Sequence, residues 1–182
     1  MNTSNQISIR SDYERIFSLA SRVEEWGTIL PHYRYVKVLK RRGNRTWVKM
    51  SAWRDFVPVT WSAVATVERG SRESPGRVLF HHIRGLVRGM DVVWSFEPRP
   101  EQQDVLVTIS HYLERPPFPT RVLGRRLIET VVGRGFIGHI AGKTLLQVKR
   151  LAEAEMDIPD RNLPDRDVPN WNLPDGNLIE RR

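Results

Sequence analysis

No cysteine occurs in the 182 residues. This excludes a disulfide framework, a thiolate zinc site and a thiol nucleophile at one stroke. Lysine is also scarce: of 29 basic residues, 5 are Lys and 24 are Arg. Long apolar runs are missing as well. None approaches the ~18 residues that span a bilayer, so no integral membrane association is expected. The opening Met1-Asn2-Thr3-Ser4-Asn5-Gln6 lacks the basic and apolar regions of a secretory signal, which makes the cytoplasm the expected compartment. No Gly-x-Gly-x-x-Gly follows a strand, no Lys-Ser/Thr phosphate loop occurs, and no His-x-Glu or His-x-x-x-His pair sits on a helix. Neither a nucleotide cofactor nor a metal is therefore expected.

What remains is ordinary for a globular chain, with 40% apolar and 27% charged residues. The length fits one domain of about 150 residues with some left over. The net charge of +8 is uneven. From Ala152 onward 8 acids meet 4 bases, giving −4 and leaving +12 on the part before it. Such a split favours anionic partners, or contact between tail and body.

The excess length is a repeat. Asp157-Ile158-Pro159-Asp160-Arg161 is followed by Asn162-Leu163-Pro164-Asp165-Arg166, Asp167-Val168-Pro169-Asn170-Trp171 and Asn172-Leu173-Pro174-Asp175-Gly176. Each proline removes a donor and holds the residue before it extended, so neither helix nor central strand runs through. Residues 1–156 are thus expected to form the domain and 157–182 an irregular Pro-rich tail, extended or disordered. The alternative is a tail whose Ile158, Leu163, Val168, Trp171 and Leu173 dock in a groove.

Along the body, Gln6 to Arg10 alternates as a strand, and Ser11-Asp12-Tyr13-Glu14 has the spacing of a capping box opening a helix to about Ala20. A second short helix, about Val23 to Leu30, stops before Pro31. Six strands follow: Tyr33–Arg41, Arg45–Arg54, Val59–Glu68, Arg77–Arg84, Met90–Glu97 and Asp104–Glu114, with Gly43-Asn44 as a hairpin turn. Their one-sided alternation predicts an antiparallel sheet with one buried face. Helical spacing resumes from about Thr120 to Met156, and a piece from about Gly135 to Glu155 carries Gly135, Gly138 and Gly142 on one face. The fold class is α+β, a curved seven-stranded antiparallel sheet in the order β-α-α-β6-α around a long C-terminal helix. A strip of glycines on that helix would enlarge a hollow beneath it, although close helix–sheet packing is the other use of glycine.

This order resembles the helix-grip fold of the START/Bet v 1-like superfamily, and in particular the polyketide cyclase/dehydrase and coenzyme Q-binding group. The resemblance rests on Glu25-Trp26 through Leu30-Pro31, Tyr33 to Leu39, Pro58-Val59-Thr60-Trp61, Gly89-Met90 leading into Trp94-Ser95-Phe96-Glu97-Pro98, and Phe136 to Glu153. It implies a cavity for a lipid, quinone or polyketide-like aromatic, a cyclase, aromatase or dehydratase activity as the alternative, and a ribosome- or RNA-associated role as the third. Tyr33 stands where aromatase/cyclases have a tyrosine near the pocket entrance. Those enzymes also use an arginine on the strand corresponding to Trp61 through Val67, where this sequence has none.

Candidate site residues follow from strand phase. His111 is in phase with Val105, Val107 and Ile109, and so faces the cavity. Of the adjacent His81 and His82, only one points inward, and His82 does if Phe80 does. Arg54, in phase with Val48, Met50 and Ala52, either points inward or sits on the rim paired with Asp55. Tyr33, His111 and Arg54 are the catalytic candidates. Ligand contacts are expected from these with Met50, Trp61, His82, Met90, Trp94, Gly138 and Gly142. Arg121, Arg125, Arg126 and Arg134, with Lys40-Arg41-Arg42 and Arg45, form either a solvated surface or a phosphate-binding one, and Trp47 and Trp53 share an outer strand face. The assembly is expected to be a monomer or homodimer.

Overall fold

The structure, a computed structural model, describes residues 2–54, 56–70, 75–113 and 138–154. Its strands are β1 (Asn2–Ile9), β2 (Tyr33–Arg42), β3 (Arg45–Arg54), β4 (Val57–Glu68), β5 (Arg77–Gly85), β6 (Asp91–Arg99) and β7 (Asp104–Tyr112). Helices α1 (Tyr13–Ser21) and α2 (Trp26–Ile29), separated by a 3-10 turn at Val23–Glu25, connect β1 to β2, and α3 (Gly138–Glu153) comes last. The strands form one antiparallel sheet in the order β1-β7-β6-β5-β4-β3-β2. Strands β2 to β7 are thus a meander, and β1 joins its far side beside β7. This is the expected α+β helix-grip arrangement.

Alternation decides which face is buried. Val48, Met50 and Ala52 of β3, Trp61, Ala63 and Ala65 of β4, Val92, Trp94 and Phe96 of β6, and Val105, Val107 and Ile109 of β7 are all buried on the concave side. The register of β2 on β3 shifts between Tyr33 and Tyr35 and again between Val38 and Lys40, which bends the edge strand. Gly85 closes β5 at φ +98°, and a Cβ there would lie 2.7 Å from the Thr60 carbonyl oxygen, so both backbone and space demand glycine.

The cap of α1 differs from expectation. Asp12 takes that place, accepting from the Glu14 and Arg15 amides at 2.9 and 3.3 Å. Ser11 is displaced from the cap because its hydroxyl donates to the Ala152 carbonyl at the end of α3 (2.9 Å). Strand ends also move: β1 begins earlier, at Asn2, and β7 ends at Tyr112.

Helix α3 buries Ile140, Ala141, Thr144, Leu145, Val148 and Ala152, a stripe at helical spacing. Its last carbonyls lack intrahelical donors. Arg15 supplies them, through Nε to Ala152 (3.1 Å) and a terminal guanidinium nitrogen to Leu151 (2.8 Å), and its positive charge also complements the helix end. Lys149 donates to the Ser8 carbonyl of β1 (2.8 Å) and pairs with Glu153 (2.6 Å), whose carboxylate accepts from the Arg10 amide (2.9 Å). Among the described residues no helix is long and apolar enough to cross a membrane. The pentapeptide repeats, the helical pattern before Gly138 with Gly133 and Gly135, and Arg121, Arg125, Arg126 and Arg134 lie outside the described residues, and so does Asp55.

Arg15→Ala removes two bonds to the α3 terminus. It should lower stability by about 1–2 kcal/mol, read in a thermal melt as a drop of about 2–8 °C. An unchanged melt would show that α3 is held without Arg15.

Candidate functional site

Between the concave face and α3 lies a cavity of about 60 Å³. Every strand from β2 to β7 contributes to it: Tyr33, Met50, Trp61, Phe80 with His82, Val92 with Trp94, and Ile109 with His111. Trp26 of α2, Val87 and Met90 of the β5–β6 connection, and Ile140, Ala141 and Thr144 of α3 close it. Most of this wall is aromatic or aliphatic, so the lining is apolar with a few polar groups set into it.

The aromatic wall is continuous. Trp26 lies 5.6 Å from Tyr33, 5.4 Å from Phe80 and 5.4 Å from Trp94, ring centre to ring centre. Tyr33 continues to Trp61 at 6.1 Å, and Trp61 stacks on His82 at 6.1 Å. On the other side Trp94 leads to Phe96 and then to Phe17 of α1. These are favourable ring separations, and they fix the wall's shape. The Trp26 indole N–H is satisfied outside the cavity by the Leu19 carbonyl (3.1 Å).

The His81–His82 ambiguity resolves with Phe80. His82 is buried beside it, whereas His81 is exposed and meets Asp91 at 2.7 Å. His82 and His111 are 7% and 6% exposed, and among the described residues neither Nδ1 has a hydrogen-bond partner. Burial is the first cause depressing both imidazoles, His82 to about 3 and His111 to about 4, and His82 is lowered further by His111 and His81. Both are therefore neutral near pH 7. An enclosed N–H without an acceptor costs more than an unfilled lone pair, so the proton belongs on Nε2 of each ring.

The second polar group was not foreseen. The Thr144 hydroxyl donates to the Ile140 carbonyl (2.8 Å), so its contact with His32 Nε2 (2.8 Å) must be a bond donated by the imidazole. Burial holds the Tyr33 phenol above its ordinary range, against a smaller lowering by Thr144. His32 is depressed to about 4, first by burial and then by Lys143 and His139. Thr144 reads in sequence as a polar interruption of an apolar stripe. Only its place four residues after Ile140 signals that it points inward.

His32 also lines an outer groove of about 760 Å³, with Pro31, Trp53, Phe56, Lys143, Leu146, Gln147 and Arg150. Phe56 is 96% exposed there, and the Arg34 guanidinium covers the Trp53 ring at 4.8 Å. His32, Thr144 and Tyr33 thus form the partition between groove and cavity.

Seven of the ten expected contact residues line the cavity: Tyr33, Met50, Trp61, His82, Met90, Trp94 and His111. Gly138 and Gly142 are not among its described lining. They are half-buried, and among the described residues nothing lies within 4 Å of where a Cβ would stand, whereas α3 turns Ile140, Ala141 and Thr144 inward. Among the described residues neither glycine is therefore a site of close helix–sheet packing. Arg54 enters only as the end of β3 opposite Val57, its side chain lying outside the described atoms. Among the described residues no three His, Asp or Glu groups could together hold a metal ion.

A curved sheet gripping a helix over an aromatic-walled cavity is the helix-grip fold. Within it, the chain belongs to the polyketide cyclase/dehydrase and lipid transport family, whose model matches residues 11–134. A Streptomyces halstedii protein named "Putative polyketide cyclase" is 27% identical over 101 residues, covering 55% of this chain and 91% of its own. The Zhui aromatase/cyclase of a Streptomyces species superposes with a TM-score of 0.68 at 14% identity, over 87% of this chain and 96% of that one. Major latex-like protein 151 of Panax ginseng gives 0.60 at 14%, over 84% and 97%. At such identities the two structures speak for the fold alone.

The three buried histidines make stability acid-sensitive. Unfolded, each titrates near about 6.5; folded, His32 and His111 wait until about 4 and His82 until about 3. Above about pH 6.5 they are neutral in both states and add no pH dependence. Below it the unfolded chain takes up protons that the folded chain refuses, and each histidine costs about 1.4 kcal/mol per pH unit. Urea unfolding should show stability flat with respect to these groups above about pH 7 and falling steeply below about pH 6. In His111→Phe that slope should be shallower by one proton. An unaltered slope would mean His111 is not buried neutral.

Proposed function

We propose that the protein binds a hydrophobic small molecule of the lipid, quinone or polyketide-like aromatic class between sheet and α3. The observation that carries this reading is the apolar, ring-walled cavity with His82 and His111 set into it unpartnered. Apolar burial would supply most of the affinity, at about 25 cal/mol per Å². The two Nε2–H groups would orient the ligand by donating to its oxygens, and the Tyr33 hydroxyl would add a third polar contact.

The 60 Å³ seen is well below the roughly 300–1,000 Å³ of sites for drug-sized molecules. The groove beyond His32 falls within that range. The reading therefore includes opening of the His32–Thr144 partition, which would join the two spaces. The partition is one hydrogen bond thick, and Met50 and Met90 in the wall repack readily.

Organic extraction of the purified protein followed by mass spectrometry tests the proposal, supported by quenching of Trp26, Trp61 and Trp94 with a naphthoquinone. Co-purifying lipid or aromatic compound is expected. In Ala141→Leu, which fills the cavity from α3, quinone affinity should fall about tenfold or more while the fold survives in circular dichroism. Protein that extracts empty and shows no quenching would refute the reading.

The named Streptomyces halstedii relative favours a second reading, a cyclase or dehydratase acting in the same cavity. Its acid and base would be Tyr33 and His111. Both are shifted away from neutrality, the phenol up and the imidazole down to about 4, whereas acid–base catalysis works best near the operating pH. Binding is therefore the better match to the geometry. If chemistry does occur, Tyr33→Phe and His111→Ala should each lower turnover of a poly-β-ketone by about 10²-fold or more with the fold intact. A wild-type protein inert toward such substrates would eliminate it.

A further inference from the structure

We propose that the outer face of the β2–β3 hairpin is a binding surface for single-stranded nucleic acid. From Tyr33 to Arg54 the chain has eight basic residues and no acid, and three of its five lysines fall there. The ladder puts Lys37 directly opposite Lys49 and Arg42 directly opposite Arg45. All four are exposed, on the side away from buried Val48 and Met50, and among the described residues none has a carboxylate partner.

Like charges directly across a ladder destabilise it. Edge protection accounts for cations on β2, since lysine on an edge strand deters strand addition. It does not account for Lys49 and Arg45, which sit one strand inward and face those cations. A polyanion would turn both repulsions into attraction. Aromatic rings stand between the charges: Lys40 lies over Trp47 at 5.7 Å, and Lys37 over Tyr35 at 5.4 Å. Cations alternating with rings on an open sheet face match a phosphate backbone with bases to stack, and a lipid headgroup layer would need no rings. Along β2 alone, Lys37, Lys40 and Arg42 follow one another every two to three residues, about 7–10 Å along the strand.

Fluorescence anisotropy of a labelled oligouridylate of about 16 nucleotides, titrated with the full chain at about 50 and 200 mM salt, tests this. Binding is expected, weakening by about tenfold or more over that range. Lys49→Glu should lose about tenfold in affinity and flatten the salt dependence, yet melt at or above the wild-type temperature because it converts a repelling pair into an attracting one. No binding at low salt, or binding indifferent to Lys49→Glu, overturns the proposal. So does binding to phosphatidylserine vesicles without binding to the oligonucleotide, which would make the face a lipid-surface contact.

Discussion

The structure depends on one helix reaching both free edges of an open sheet. Seven strands at about 4.8 Å span roughly 29 Å, whereas a helix with its side chains is about 10–12 Å across. Helix α3 cannot cover that width by lying along the strands. Instead it crosses, tied at β1 by Lys149 and Glu153 and at the start of β2 by the Thr144–His32 bond. Its C-terminal carbonyls are held by Arg15 and Ser11, so α1 and α3 are locked to each other as well as to the sheet.

What α3 leaves uncovered the aromatic residues must fill, and this explains both the cavity and its modest size. Trp26 occupies the middle of the concavity, touching Tyr33, Phe80 and Trp94, and carries the α1–α2 segment onto the sheet. Rings of fixed shape cannot close every gap, and the gap left is where His82 and His111 stand. Their depressed basicity and unpartnered Nδ1 atoms follow from the same enclosure. A buried polar atom without a partner lowers stability, and leaving the bare lone pair rather than an N–H in that position keeps the cost small.

The concave face was legible in the sequence because period-two alternation is a local signal. Val48-Met50-Ala52 and Val105-Val107-Ile109-His111 show their burial in their spacing, and the structure keeps that phase. Contacts between distant segments leave no such trace. His32 and Thr144 are 112 residues apart, and nothing near either indicates the other. Ser11 illustrates the converse: its local spacing fits a cap, and a tertiary acceptor at Ala152 outcompetes that role. The glycines of α3 are a case of the same limit. A helix face without side chains is visible in sequence, but which way the face turns is set by the sheet.

The alternation that builds the cavity also separates it from the face behind it. Along β3, Val48 and Met50 point into the core, and Lys49 between them points out. One hairpin therefore carries two independent surfaces on the same backbone, one apolar and enclosed, the other cationic and open. This gives the body's excess charge a location, since the 22 residues from Tyr33 to Arg54 contribute eight positive charges and no negative ones. Because the two surfaces share backbone but no side chains, each can change while the other is kept. A cavity that accepts a different ligand need not alter Lys37, Arg42, Arg45 or Lys49, and the charge of the outer face need not alter Tyr33 or Met50.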